Sequence, residues 1–131
     1  MVKELRFINS YIDLEKLRYD DSANINLQVL GEADGKFISP LLLIQFIENA
    51  FKHGMEQHKK NSYLEININI ENGSLRYSSV NSINDVASQI SGGVGLVNVR
   101  KRLEISYPGK HDLHIHSDNR EYRVELVIQL N

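Results

Sequence analysis

From Tyr63 to Ile70 every second residue is apolar: Leu64, Ile66, Ile68 and Ile70 alternate with Tyr63, Glu65, Asn67 and Asn69. A period of two fits an extended strand with one buried face and one wet face. Asn72-Gly73 follows, a strong signal for a tight hairpin turn, and a second strand is expected at about 75–81. Asn24 to Leu30 also alternates and predicts a strand, with a turn at 31–35. Two final strands are expected at about 112–117 and 122–130. Helical spacing accounts for most of the rest. Residues about 3–18 read as a helix, with Leu5, Ile8 and Ile12 in one stripe and Phe7, Tyr11, Leu14 and Leu17 on the adjoining arc. That stripe exceeds what a one-sided helix needs, so it implies deep burial or a further partner. Ser39-Pro40 predicts the start of a second helix, with Ser39 as N-cap, running to about Lys52 and stopping at Gly54. A third spans roughly 94–106, after a polar loop at 82–93. The order is helix, strand, helix, hairpin, loop, helix, hairpin. It implies an α+β two-layer sandwich: a mostly antiparallel mixed sheet covered on one face by helices.

The length of 131 residues suits one domain with its own core. A formal net charge of −2 argues against a dedicated nucleic-acid binder. The absence of cysteine excludes disulfide scaffolds, thiolate metal sites and cysteine nucleophiles. No apolar run approaches the roughly 18 residues of a membrane span. The opening Met1-Val2-Lys3-Glu4-Leu5 lacks the apolar core of a signal peptide and begins inside a helical pattern without a cap. The expectation is a piece of a longer protein.

Wound at 3.6 residues per turn, the second helix puts Leu43, Phe46, Ile47 and Ala50 on one face. Gln45, Glu48, Asn49, Lys52 and Glu56 lie on the other, with His53 at its edge. A solvated helix face would look similar. The combination is nevertheless selective. An amide oxygen beside a carboxylate suits Mg²⁺, which takes few protein oxygens and retains several waters. An adjacent ammonium suits a phosphate.

The second signal is Ser91-Gly92-Gly93-Val94-Gly95-Leu96-Val97-Asn98-Val99-Arg100. Glycines before a helix leave N–H groups free and let backbone approach an anion. An ordinary junction between elements would also use them. A dinucleotide fingerprint is incomplete, because Asn98 stands where a third glycine is needed, and no Gly-Lys-Ser/Thr of a P-loop occurs.

Together the two signals match a known pattern. Glu48-Asn49-Ala50-Phe51-Lys52-His53-Gly54 resembles the N box of the GHKL ATPases, in the version found in LytS/YehU-type sensor histidine kinases. The run from Gly92 to Leu103 resembles that family's glycine-rich G2 box and its following helix, and Tyr107-Pro108-Gly109 fits as well. The opening, with Glu4-Leu5, Tyr11-Ile12, Leu14-Glu15 and Arg18-Tyr19, is similar to the end of the helix that precedes the family's ATPase domain. The resemblance implies the Bergerat fold. Residues 1–20 would be the end of a helix linking from a histidine-phosphotransfer domain, and 21–131 the ATP-binding catalytic domain.

It also implies roles. Asn49 would coordinate Mg²⁺ bridging the phosphates of ATP, and Glu48 would be the neighbouring polarising or acid/base group. Lys52 and His53 would face the phosphates. Gly93 and Gly95 would let backbone approach the polyphosphate, with Leu96 of the same box contacting the nucleotide. Residues 82–93 would form a lid. The implied partners are an upstream histidine-containing dimerisation domain and a response regulator, with no direct contact to nucleic acid. The whole protein would be a homodimer in the inner membrane, with this domain in the cytoplasm.

Two departures stand out. Other GHKL ATPases, gyrase among them, place a water-activating glutamate four residues before the metal-binding asparagine. Here Gln45 occupies that position and cannot act as a base. Many histidine kinases use an aspartate to read adenine, and the matching stretch here is Ser79-Val80-Asn81-Ser82, which offers Asn81 instead. A non-catalytic nucleotide-responsive module of the same fold is therefore the alternative. His114 and His116 share a strand face that reads as polar surface rather than a metal site. Arg100, Lys101 and Arg102 fit either a phosphate or partner contact or a solvated helix face.

Overall fold

The computed structural model describes residues 1–19, 23–54, 62–83 and 93–130, and at 53–54 and 93–95 it describes the backbone course alone. Glu56 and the stretch 84–92 of the expected lid lie outside the described residues.

The alternation at 63–70 yields strand β2 (Tyr63–Glu71), whose Leu64, Ile66, Ile68 and Ile70 are all buried. Burying each such side chain contributes about 1.5–3 kcal/mol. Asn72 (φ 50°) and Gly73 (φ 76°) turn the chain into β3 (Ser74–Ser82). Positive φ at both central residues is the requirement of a type I′ hairpin, and asparagine and glycine meet it at least cost. The remaining strands are β1 (Asn24–Gly31), β4 (His111–Ser117) and β5 (Glu121–Gln129). The five form one sheet in the order β1-β2-β3-β5-β4. All neighbours are antiparallel except β1 and β2. That pair is parallel because a helix, α2 (Leu42–Gly54), carries the chain between them. At the end of β1, Gly31 has φ 96° and sits so close to β2 that a Cβ would lie 1.9 Å from the Ile70 carbonyl oxygen.

α1 (Val2–Lys16), α2 and α3 (Gly93–Ser106) supply the other layer, over the face carrying Leu64, Tyr77, Tyr122 and Leu126. Ile8 and Ile12 of α1 join the same core. α2 buries more than the four residues its periodicity marks, because Leu42, Ile44 and Phe51 are also enclosed. α1 provides part of this cover. Tyr11 meets the Phe51 ring edge-on at 5.8 Å, and Tyr19 stacks on it at 6.3 Å. The broad apolar stripe of α1 is accordingly only partly used, leaving Phe7, Leu14 and Leu17 exposed.

The expected N-cap at Ser39 is corrected. α2 begins at Leu42, after Leu41 takes a left-handed φ of 60°. The Ser39 hydroxyl instead accepts from the Arg102 guanidinium at 2.7 Å, and the same Arg102 nitrogen donates to the Pro40 carbonyl at 2.6 Å. The Ser39 N–H donates to the Tyr107 hydroxyl at 2.9 Å. A cation on α3 thus takes the hydroxyl that local sequence offered to α2. Arg102 ties two elements together rather than forming a solvated face.

Candidate functional site

Along α2 the outward face presents Glu48 and Lys52 exposed and Asn49 half-buried. His53 lies in the same helix, and its side chain is outside the described residues. Asn49 leans toward the sheet, where its Nδ2 donates to the Tyr122 hydroxyl over a long 3.4 Å. Tyr122 is 4% exposed, on the covered face of β5. Burial holds its phenol above the ordinary tyrosine value, opposed by the Asn49 donor and the Arg100 charge.

Directly across from Tyr122 in the β3–β5 register stands Asn81. It is fully buried, and its Nδ2 donates to the Ser82 carbonyl at 3.1 Å. That bond uses the donor side of the amide. Oδ1 is buried and has no partner among the described residues. An unmet buried acceptor costs about 1–3 kcal/mol, so it calls for an explanation such as a ligand donor. Asparagine here thus offers the same acceptor that a carboxylate would, without its charge. Gln45 carries a second such atom, because its Oε1 is also buried and unpartnered among the described residues.

Glu48 has a neighbour that sequence spacing does not reveal. The Tyr11 phenol on α1 is pushed up to about 12, first by burial and then by the carboxylates of Glu15 and Glu48. α1 therefore reaches the edge of the α2 face. Gly93 and Gly95 fall in the first turn of α3, where free N–H groups and the helix dipole favour an anion. Leu96 is 8% exposed and packs with the core. The expected lid boundary moves. Ser82 ends β3, its hydroxyl accepting from the Tyr63 N–H at 3.0 Å. The Ile83 N–H donates to the Arg120 carbonyl at 2.8 Å. Residues 82 and 83 are thus fixed to the sheet, and any lid begins after them.

The donor set suits Mg²⁺ held largely by phosphate. Asn49 and Glu48 are adjacent oxygen donors, which is the sparse protein contribution such an ion takes beside a nucleotide. Among the described residues there is no group of three or more His, Asp or Glu that would cage an ion alone. Two of the described histidines are engaged elsewhere. His111 Nδ1 lies 2.7 Å from the Tyr107 carbonyl oxygen, and His114 Nε2 lies 3.1 Å from Asp112.

The opposite, uncovered face has a groove of about 660 Å³ lined by Tyr63, Glu65, Ser78, Glu121 and Arg123 among others. Three of its polar side chains meet one another. Tyr63 donates to Glu121, and Arg123 lies 3.9 Å from the same carboxylate.

No family model matches the chain. It is 27% identical over 139 aligned residues to the sensor protein LytS of Staphylococcus saprophyticus, covering 96% of this chain and 24% of that protein. It is 25% identical over 129 residues to the sensor protein kinase HptS of Staphylococcus aureus, covering 88% of this chain and 24% of that protein. The chain thus spans about a quarter of the length of these curated relatives. Its fold matches the nucleotide-free catalytic domain of histidine kinase ThkA with a TM-score of 0.65 at 15% identity, covering 96% of this chain and 92% of that one. The chain is thus similar along nearly its whole length to sensor proteins of the LytS type, and its fold is that of a histidine kinase catalytic domain.

Proposed function

We propose that the chain binds Mg·ATP across α2, the end of β3 and the start of α3, and presents the γ-phosphate to a histidine on an upstream domain. Asn49, with Glu48 beside it, would hold the metal. Lys52 and His53 would face the phosphates, together with backbone at Gly93 and Gly95, and Leu96 would contact the nucleotide from the same turn. Asn81 Oδ1 would accept a proton of the adenine amino group. The reading is supported most by one observation: Asn49 and Asn81 belong to separate motifs, and both adjoin Tyr122.

Magnesium held by Asn49, with Glu48 beside it, would supply charge neutralisation at the phosphates. The protein groups orient and exclude. Lys52 adds positive charge beside the transferring phosphoryl group, and Asn81 fixes the base. Gln45 carries an amide where a carboxylate would activate water, so the γ-phosphate is kept for the histidine nitrogen. There the new N–P bond forms as the bond to the leaving ADP oxygen breaks. Residues 1–20 would continue the helix from the histidine-bearing dimerisation domain. The phosphate would then pass to a response regulator, and the whole protein would sit in the inner membrane with this domain in the cytoplasm.

The test is calorimetric titration with a non-hydrolysable ATP analogue, with and without Mg²⁺, beside Asn49→Ala. Magnesium-dependent binding that Asn49→Ala loses is expected. A folded sample that binds no analogue at millimolar concentration refutes the reading.

A further inference from the structure

We infer that Tyr122 is a positioning residue for the metal site: its hydroxyl holds the Asn49 carboxamide by Nδ2, so that Oδ1 is the oxygen presented to the ion. This rests on the nucleotide reading above and adds to it a residue that neither motif contains.

An asparagine side chain has two ends of similar size and opposite hydrogen-bonding character. If the amide flips, a nitrogen donor faces the cation and coordination fails. α2 fixes the Asn49 backbone but does not choose between the two orientations. The choice is made by the neighbour that bonds one end. A phenol hydroxyl can donate or accept, and here the Tyr122 oxygen accepts from Nδ2 at 3.4 Å, from a position 73 residues along the chain, which leaves Oδ1 unengaged by it. Its own placement is firm. The side chain is 4% exposed, and the β3–β5 ladder sets it opposite fully buried Asn81. Orienting partners behind metal ligands commonly carry 10- to 100-fold in metal affinity. A bond this long belongs at the lower end. The same residue pairs with Asn81 in the β3–β5 register, so one residue adjoins both the metal half and the base half of the site.

The experiment titrates the non-hydrolysable ATP analogue into wild type, Tyr122→Phe and Asn49→Ala, each with and without Mg²⁺. Tyr122→Phe keeps the ring and removes only the oxygen. It should weaken binding in Mg²⁺ about tenfold and leave Mg²⁺-free binding within about twofold. The Asn49 side-chain amide pair, identified in the ¹⁵N spectrum by its loss in Asn49→Ala, should shift toward free-amide positions in Tyr122→Phe. Equal loss with and without Mg²⁺, or no loss beside a defective Asn49→Ala, overturns the positioning role while leaving the nucleotide reading intact. A wild type that binds no analogue overturns both. Should Tyr122→Phe fail to fold, the wild-type spectrum decides alone: cross-peaks from the Asn49 amide protons to the Tyr122 ring are required, and their absence ends the proposal.

Discussion

The two faces of the sheet hold polar groups in opposite conditions. On the uncovered face Tyr63, Glu121 and Arg123 interact with one another beside a groove of about 660 Å³. That size falls within the range of ligand pockets. On the helix-covered face Asn81 Oδ1 and Gln45 Oε1 are buried without partners among the described residues. The difference lies in unmet hydrogen-bonding capacity rather than in volume. Groups already paired with one another have less to gain from a ligand, whereas a buried acceptor gains the full value of a donor that arrives.

The comparison can be broken most directly at Asn81. Asn81→Leu removes the unpartnered Oδ1 and should weaken binding of the ATP analogue about 30- to 100-fold. Removing the unmet oxygen offsets the lost bond to the Ser82 carbonyl, so the stability of the ligand-free protein should change by less than about 1 kcal/mol. Equal affinity in titration calorimetry would erase the distinction between the faces. Arg102→Ala asks how firmly the helical layer is held. Loss of the bonds to Ser39 and Pro40 should cost about 2 kcal/mol in denaturant unfolding, with analogue affinity changed far less than by Asn81→Leu. On the other face, Tyr63→Phe should lower stability by less than about 1 kcal/mol and leave analogue binding within about twofold. A larger loss of affinity would show that the open groove takes part.

The smallest effect is in alkaline solution, where Tyr11 of the helical layer and Tyr63 on the open face can be compared. Tyr11 and Tyr63 are both pushed from 10.0 to about 12, each first by burial. The folded protein holds these protons more tightly than the unfolded chain does. Their contribution is therefore intact below pH 10.0 and is lost as pH rises toward about 12. Unfolding midpoints across that window should fall less steeply in Tyr11→Phe and in Tyr63→Phe than in wild type. An unchanged slope in both would contradict the burial of the two phenols.

Much of the fold was legible because short-range periodicity carries it. Four alternating apolar residues and Asn72-Gly73 define the β2–β3 hairpin, and the apolar spacing of α2 fixes which side faces inward. The candidate site was legible to the extent that it lies in contiguous motifs, namely Glu48 to His53 and Gly93 to Leu96. The resemblance put Asn81 in the adenine-reading position, but its orphaned oxygen required the packed structure. Ser39 misled because a good local cap competes with any donor the fold brings near, and Arg102 is 63 residues away. Tyr122 gave no sequence signal, since a tyrosine at an inward strand position reads as core.

By itself, then, the sequence determined the element types, the inward faces and the motif residues, because these follow from spacings of two to four residues along one chain segment. Tertiary structure decided the parallel β1–β2 pairing, the cover of Phe51 by α1, the Arg102 tie and the meeting of Asn49 with Tyr122. Each of these depends on which segments become neighbours. That choice is made by sheet register and by competition among side chains, and neither is written in any local pattern.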